Sequence, residues 1–145
     1  MAGPVKESIS IAAPVSTVVD IVADLENTER WANEAKGAEV KARGDDGRPT
    51  RIEVTLGAIG FTTAAVYDVA YTDSSVTLTC TGDGGRLIRE STISYEAAES
   101  GDGTELTMTS TMEVTVPVPE WGLERAMGRS AKKNLQSVKK DAERS

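Results

Sequence analysis

The chain has no histidine and a single cysteine among its 145 residues. Without an imidazole, Ser-His-Asp catalysis, Cys-His catalysis and histidine-ligated zinc are all excluded. Cys80 has no partner for an internal disulfide, which agrees with a reducing compartment. It lies in the alternating run Val76-Thr77-Leu78-Thr79-Cys80, in phase with the apolar positions. That placement reads as a small buried hydrophobe, since a nucleophilic thiol needs a base beside it. Aromatics are scarce at 4%. No apolar run approaches the ~18 residues of a membrane span. Met1 to Glu7 lacks the apolar stretch of a secretory signal, so the expected location is cytoplasmic. Positive charge is also short, with 16 Lys and Arg against 23 Asp and Glu and a net charge of −7. Phosphate binding needs a basic face, so nucleic acid is excluded as a partner. No metal and no cofactor is expected.

What is present is alternation. Val5 to Ile11 reads as a strand, with Val5, Ile9 and Ile11 in phase. Pro14 suits the first turn of a helix, and Val15, Val18, Val19 and Val22 give that helix one apolar face until Asp24-Leu25. The helix is rich in β-branched residues, so packing rather than propensity must hold it. Asn27 or Thr28 can cap a second short helix containing Glu29, Arg30 and Trp31. A strand over 38–42 and the turn Gly44-Asp45-Asp46-Gly47 lead into a meander. Its strands fall at 50–56, 61–71, 75–81, 86–96 and 105–116, joined by turns rich in Gly, Asp and Ser that accept positive φ. A one-residue slip would turn every apolar side chain outward, so the alternation also sets register.

The last strand breaks at Pro117-Val118-Pro119, and an amphipathic helix over 120–143 follows. Leu123, Met127, Ala131, Asn134, Leu135, Val138 and Ala142 form its apolar stripe. Gly122 and Gly128 weaken it by about 1 kcal/mol each relative to alanine, and glycine there permits a bend or a close approach to the sheet. A helix with one apolar face must cover a sheet with another. A curved sheet around a helix leaves a space between them. Basic residues outnumber acidic ones from Glu120 onward. Lys132-Lys133 and Lys139-Lys140 read as a solvated face, with transient contact to a membrane headgroup or an acidic partner as the alternative. Neither an internal repeat nor a linker interrupts the chain, so one domain over 1–145 is expected, as a monomer or a homodimer.

Three patches carry a resemblance. Ser8-Ile9-Ser10-Ile11-Ala12-Ala13-Pro14 leads into Val18 to Leu25 and then Asn27-Thr28-Glu29-Arg30-Trp31. Gly101-Asp102-Gly103-Thr104-Glu105-Leu106-Thr107-Met108 opens the last strand. Ala131 to Lys139 closes the chain. Together they resemble the START-like (SRPBCC) superfamily, which includes polyketide cyclase/dehydrase and lipid-transport proteins. The family often has a tyrosine-proline pair where Asn27 to Arg30 stand, so the turn before Trp31 departs from its pattern. The resemblance implies an α+β helix-grip fold, β-α-α-β6-α, in which about seven antiparallel strands wrap the C-terminal helix. It also implies an internal cavity for a small hydrophobic molecule.

Strand phase nominates the cavity wall. If Leu106 faces the final helix, Met108, Ser110, Met112 and Val114 do so too. On the preceding strand Leu87, Arg89, Ser91, Ile93 and Tyr95 share a phase. An inward Arg89 needs a ligand anion, an internal carboxylate, or an exit through a bulge. Val54, Leu56, Tyr67 and Leu78 face inward by the same logic, with Tyr67 either a ligand donor or a satisfied core phenol. Met127 and Asn134 join them from the helix stripe. Trp31 and Trp121 fall where the family's helices close the cavity mouth, with ordinary packing as the plainer reading. Three functions fit: a carrier of a lipid-like or polyketide-like molecule, a polyketide cyclase/dehydrase-type enzyme, or a protein-interaction module. The enzyme would have to take its acid or base from Tyr67, Tyr95, Arg89 or a buried carboxylate, and no catalytic residue is assigned.

Overall fold

The computed structural model describes residues 2–30, 35–58, 61–84 and 88–144. β1 (Ala2–Ile11) leads into α1 (Val15–Ala23) and a 3-10 stretch (Leu25–Arg30). Then follow β2 (Ala35–Arg43), β3 (Pro49–Ala58), β4 (Phe61–Tyr71), β5 (Ser75–Gly84), β6 (Ile88–Ser100) and β7 (Gly103–Val114), and the chain closes with α2 (Glu120–Glu143). The sheet order is β1-β7-β6-β5-β4-β3-β2. All neighbours pair antiparallel, so β2 to β7 form a meander and β1 joins it along β7. This is the α+β helix-grip architecture, a curved seven-stranded antiparallel sheet with a long C-terminal helix.

The alternation in the sequence becomes the inner face. Leu106, Met108 and Ser110 on β7, Val76, Leu78 and Cys80 on β5, and Ala65, Tyr67 and Val69 on β4 are all buried. α1 adds Val18, Val19, Ile21 and Val22 to the same core. Every residue of the expected α2 stripe, from Leu123 to Ala142, is buried. Thr104 is a buried hydroxyl, and it donates to the Ala13 carbonyl at 2.7 Å.

β1 begins earlier than its alternation predicts. A register shift between Ala2 and Val5 carries the strand past Gly3-Pro4 and buries Ala2 against Leu123 and Met127. Gly3 has a φ of 92°, and a Cβ there would lie 2.5 Å from the Ser110 carbonyl oxygen. Only glycine fits such a conformation at such a distance. The short helix expected around Glu29 is instead the 3-10 stretch, interrupted at Asn27 (φ −110°, ψ 28°). Asn27 is not an N-cap here. Its backbone N–H donates to the Asp24 carbonyl and its amide to the Asp24 carboxylate at 3.0 Å, which closes the end of α1.

α2 lies closest to β1, the outer strand on one side of the sheet. Three side chains fasten them. The Gly3 N–H donates to Glu124 Oε2 at 2.8 Å. The Ala12 N–H donates to Glu143 Oε2 at 2.9 Å. Lys139 Nζ donates to the Ser10 carbonyl at 2.9 Å and pairs with Glu143 at 2.7 Å. Backbone groups of an outer strand that would otherwise invite another chain are thereby occupied. No helix among the described residues is long and apolar enough to cross a membrane.

Candidate functional site

The interior between the sheet and α2 carries polar groups, and the fully buried polar residues among those described are uncharged. Tyr67 projects inward from β4, and its hydroxyl donates to Ser91 Oγ on β6 at 3.2 Å, spanning the intervening β5. Tyr95, further along β6, is hydrogen-bonded to the side chain of Asn134 on α2. Tyr67, Ser91, Tyr95 and Asn134 are each no more than 5% exposed. Cys80, opposite Ser91 in the β5–β6 register, is buried beside them. The fully buried polar residues are Ser91, Thr104, Ser110 and Asn134, none of them charged, while half-buried Asp141 on α2 turns one carboxylate oxygen away from solvent.

Burial sets the acidity of both phenols. Desolvation pushes the Tyr67 hydroxyl up to about 12, opposed by the bond to Ser91 and reinforced by nearby Cys80. Burial raises Tyr95 further, opposed by Asn134 and reinforced by Tyr67. Both groups are therefore neutral hydroxyls at physiological pH. The Tyr67 oxygen can still accept from a ligand hydroxyl and the Ser91 hydroxyl keeps its proton for a carbonyl or ether, and neither phenol is tuned to exchange a proton near neutrality.

The structure sorts the cavity residues nominated from sequence into four sets. Val54, Tyr67, Leu78 and Met108 belong to the main buried core, and Ser91, Ser110 and Asn134 are buried as well. Met127 belongs to a smaller cluster with Ala2 and Leu123, and half-buried Met112 touches both clusters. Two nominations are corrected. Arg89 is outside: a register shift between Ile88 and Glu90 breaks the inward phase, burying Ile88 and turning Arg89 to solvent. Its guanidinium sits 3.6 Å from Glu113 on β7. Trp121 is also outside, 68% exposed, because it stands in the first turn of α2 to one side of the buried stripe. Trp31, Leu87 and the Leu56 side chain lie outside the described part of the structure, although the Leu56 backbone pairs with Thr63 in β4.

Tyr95 is a member of the interior polar set that the sequence placed inward only by phase. The signal for its partnership was available: a tyrosine in phase on one strand and Asn134, the lone amide on an apolar helix stripe, each need a buried partner. No cluster of His, Cys, Asp or Glu among the described residues is arranged to hold a metal.

Residues 3–143 match a family described as polyketide cyclase / dehydrase and lipid transport. No curated protein matches the chain significantly in sequence. Among solved structures, a START superfamily protein from Mycobacterium smegmatis is similar, with a TM-score of 0.85 at 23% identity over 97% of each chain. An aromatase/cyclase from a Streptomyces species has a TM-score of 0.79 at 14% identity, covering 97% of this chain and 93% of its own. A STAR-related lipid transfer protein from Xanthomonas axonopodis has a TM-score of 0.77 at 14% identity, covering 94% of this chain and 84% of its own. Identities this low carry the fold alone. A fold shared by a cyclase and a lipid transfer protein leaves function to the site.

Proposed function

The chain belongs to the polyketide cyclase / dehydrase and lipid transport family, and from that premise we propose that it binds an uncharged, largely apolar small molecule between its sheet and α2. The observation that carries this reading is the neutrality of the interior polar set, Tyr67–Ser91 and Tyr95–Asn134, together with the absence of a charged residue from the fully buried ones among those described. A ligand carboxylate or phosphate placed there would lose its hydration without gaining a cation, at a cost of several kcal/mol. A hydroxyl or carbonyl would exchange water for phenol, hydroxyl or amide at little net cost. Val54, Leu78 and Met108 supply apolar wall, with the Met108 thioether able to adapt to an irregular shape. Residues 1–145 act in this reading as one domain.

Carriage fits this site better than catalysis. A cyclisation or dehydration needs an acid or base whose pKa lies near the working pH. Both interior phenols are pushed up and away from it. The test is to purify the chain, extract it and identify retained small molecules by mass spectrometry. Binding of a long-chain alcohol is then compared with that of its matched carboxylate at pH 8. Recovery of an unmodified neutral lipid, with the alcohol bound at least about tenfold more tightly, is the expected result. Equal or tighter binding of the carboxylate would sink the neutral-ligand reading, and chemical conversion of a bound molecule would replace the carrier by an enzyme.

A further inference from the structure

α2 segregates its charges. Glu124 and Glu143 are both turned to the backbone of β1, and Lys139 is drawn to the same seam. Apart from Glu120 in the first turn and Glu143 at the seam, the exposed charged side chains of α2 are basic. Arg125, Arg129, Lys132, Lys133 and Lys140 are all exposed, with Arg144 just beyond the helix. Their spacing of three and four residues sets them on one face, opposite the stripe from Leu123 to Ala142 that α2 buries. The acidic side chain nearest this face is Glu143, whose carboxylate already accepts the Ala12 N–H and the Lys139 ammonium.

The same face begins with an aromatic. Trp121 is 68% exposed, the large hydrophobic residue standing most clear of the surface among those described. The Arg125 guanidinium lies 5.7 Å from its ring centroid, so indole and cation form one unit. Pro117 and Pro119, exposed just before the helix, extend the apolar tip. A core function explains none of this, since α2's packing is complete on its other side.

We propose that the outer face of α2 is a docking surface for an anionic lipid bilayer. Trp121 would sit at the boundary between headgroups and acyl chains, where an apolar ring with a polar N–H is best accommodated. The five exposed cations of α2 would lie along the headgroup layer. Each basic residue near such a surface contributes about 1 kcal/mol, and the contribution decays over a Debye length of ~8 Å at physiological salt. The acidic excess behind the net charge of −7 lies outside residues 120–145, where seven Lys and Arg stand against four Asp and Glu. An acidic protein surface would also attract the cations, but it gives no role to an exposed indole flanked by prolines. Because α2's apolar face is committed to the core, the helix rests on the bilayer and does not enter it.

The test is sedimentation of the full chain with vesicles of phosphatidylcholine alone or of equal parts phosphatidylcholine and phosphatidylglycerol. The wild type should bind the anionic vesicles at least about tenfold more strongly than the neutral ones, and salt should abolish the difference. Reversing the stripe with Arg125→Glu, Arg129→Glu, Lys132→Glu and Lys133→Glu should eliminate vesicle binding while the thermal midpoint stays near the wild-type value. Trp121→Ala alone should weaken binding by about threefold to tenfold, and serves as the readout should the fourfold variant not fold. Equal binding to both vesicle types, or unchanged binding by both variants, overturns the proposal. Capture of an acidic protein by the stripe in the absence of any vesicle binding also overturns it.

Discussion

α2 meets the sheet through two sets of polar groups, and their chemistry is opposite. Along β1 the contacts are ionic: Glu124, Lys139 and Glu143 hold the backbone at Gly3, Ser10 and Ala12, close to solvent. Over β6 the contact is neutral, with Asn134 meeting the Tyr95 phenol in a dry interior and Tyr67 meeting Ser91 beyond it. Charge is used where water screens it and desolvation is slight. Amides and hydroxyls are used where an unpaired charge would be prohibitive. The seam fixes where α2 lies, and the interior keeps groups able to recognise a ligand without a fixed charge.

The sharpest way to break that contrast is to put a charge on the wrong side of it. Asn134→Asp is nearly isosteric, and burial would push the new carboxyl up. A folded-state pKa above the unfolded value leaves stability intact below the ordinary carboxylate range and removes it as pH rises through the raised value. Relative to wild type, urea denaturation should therefore find little loss near pH ~4 and on the order of 3 kcal/mol by pH 8. A uniform loss at both pH values would mean that this part of the interior is wet.

A smaller effect is expected from Tyr67→Phe, which deletes the donor to Ser91 and should cost about 1 kcal/mol at neutral pH. The variant also reports on alkaline stability. The Tyr67 phenol is raised from 10.0 to about 12, so its contribution is complete below pH 10 and is lost as pH climbs through 12. The wild type should weaken steeply in that window and the variant less so. The smallest effect belongs to the seam. Glu143 is held below the ordinary carboxylate range, chiefly by its bond to Lys139 and then by the Ala12 N–H. Its contribution is present above that range and disappears as pH falls through the lowered value. Glu143→Gln should therefore barely move the neutral unfolding midpoint while flattening the acid side of the stability profile. A large neutral effect would place the seam on a par with the interior and remove the distinction between them.

Most of the fold was legible because alternation and helical spacing each have a single consistent solution. β4 and α2 have the bounds that their periodicity implies, and the α2 stripe is buried to the last residue. Errors came where one residue breaks the count. The register shift between Ile88 and Glu90 is invisible in composition, yet it moves Arg89 from an inward position to a pair with Glu113. The shift between Ala2 and Val5 hid Ala2, Gly3 and Pro4 itself from the strand pattern. The interior site was partly legible: phase placed Tyr67, Ser91 and Asn134 inside, but which hydroxyl meets which amide depends on sheet curvature. The charged seam was not legible at all. Glu143 and Ala12 are 131 residues apart in sequence, and nothing local relates them.

The occupied flank of β1 also bears on symmetry. Unlimited head-to-tail growth by strand addition needs two open flanks per subunit, one to give and one to receive. With β1 engaged by Glu124, Lys139 and Glu143, only β2 remains outermost and unfastened by α2. Two copies joining there would face each other across a twofold axis and leave no strand for a third. Assembly of the sheet through β2 alone would then stop at a pair.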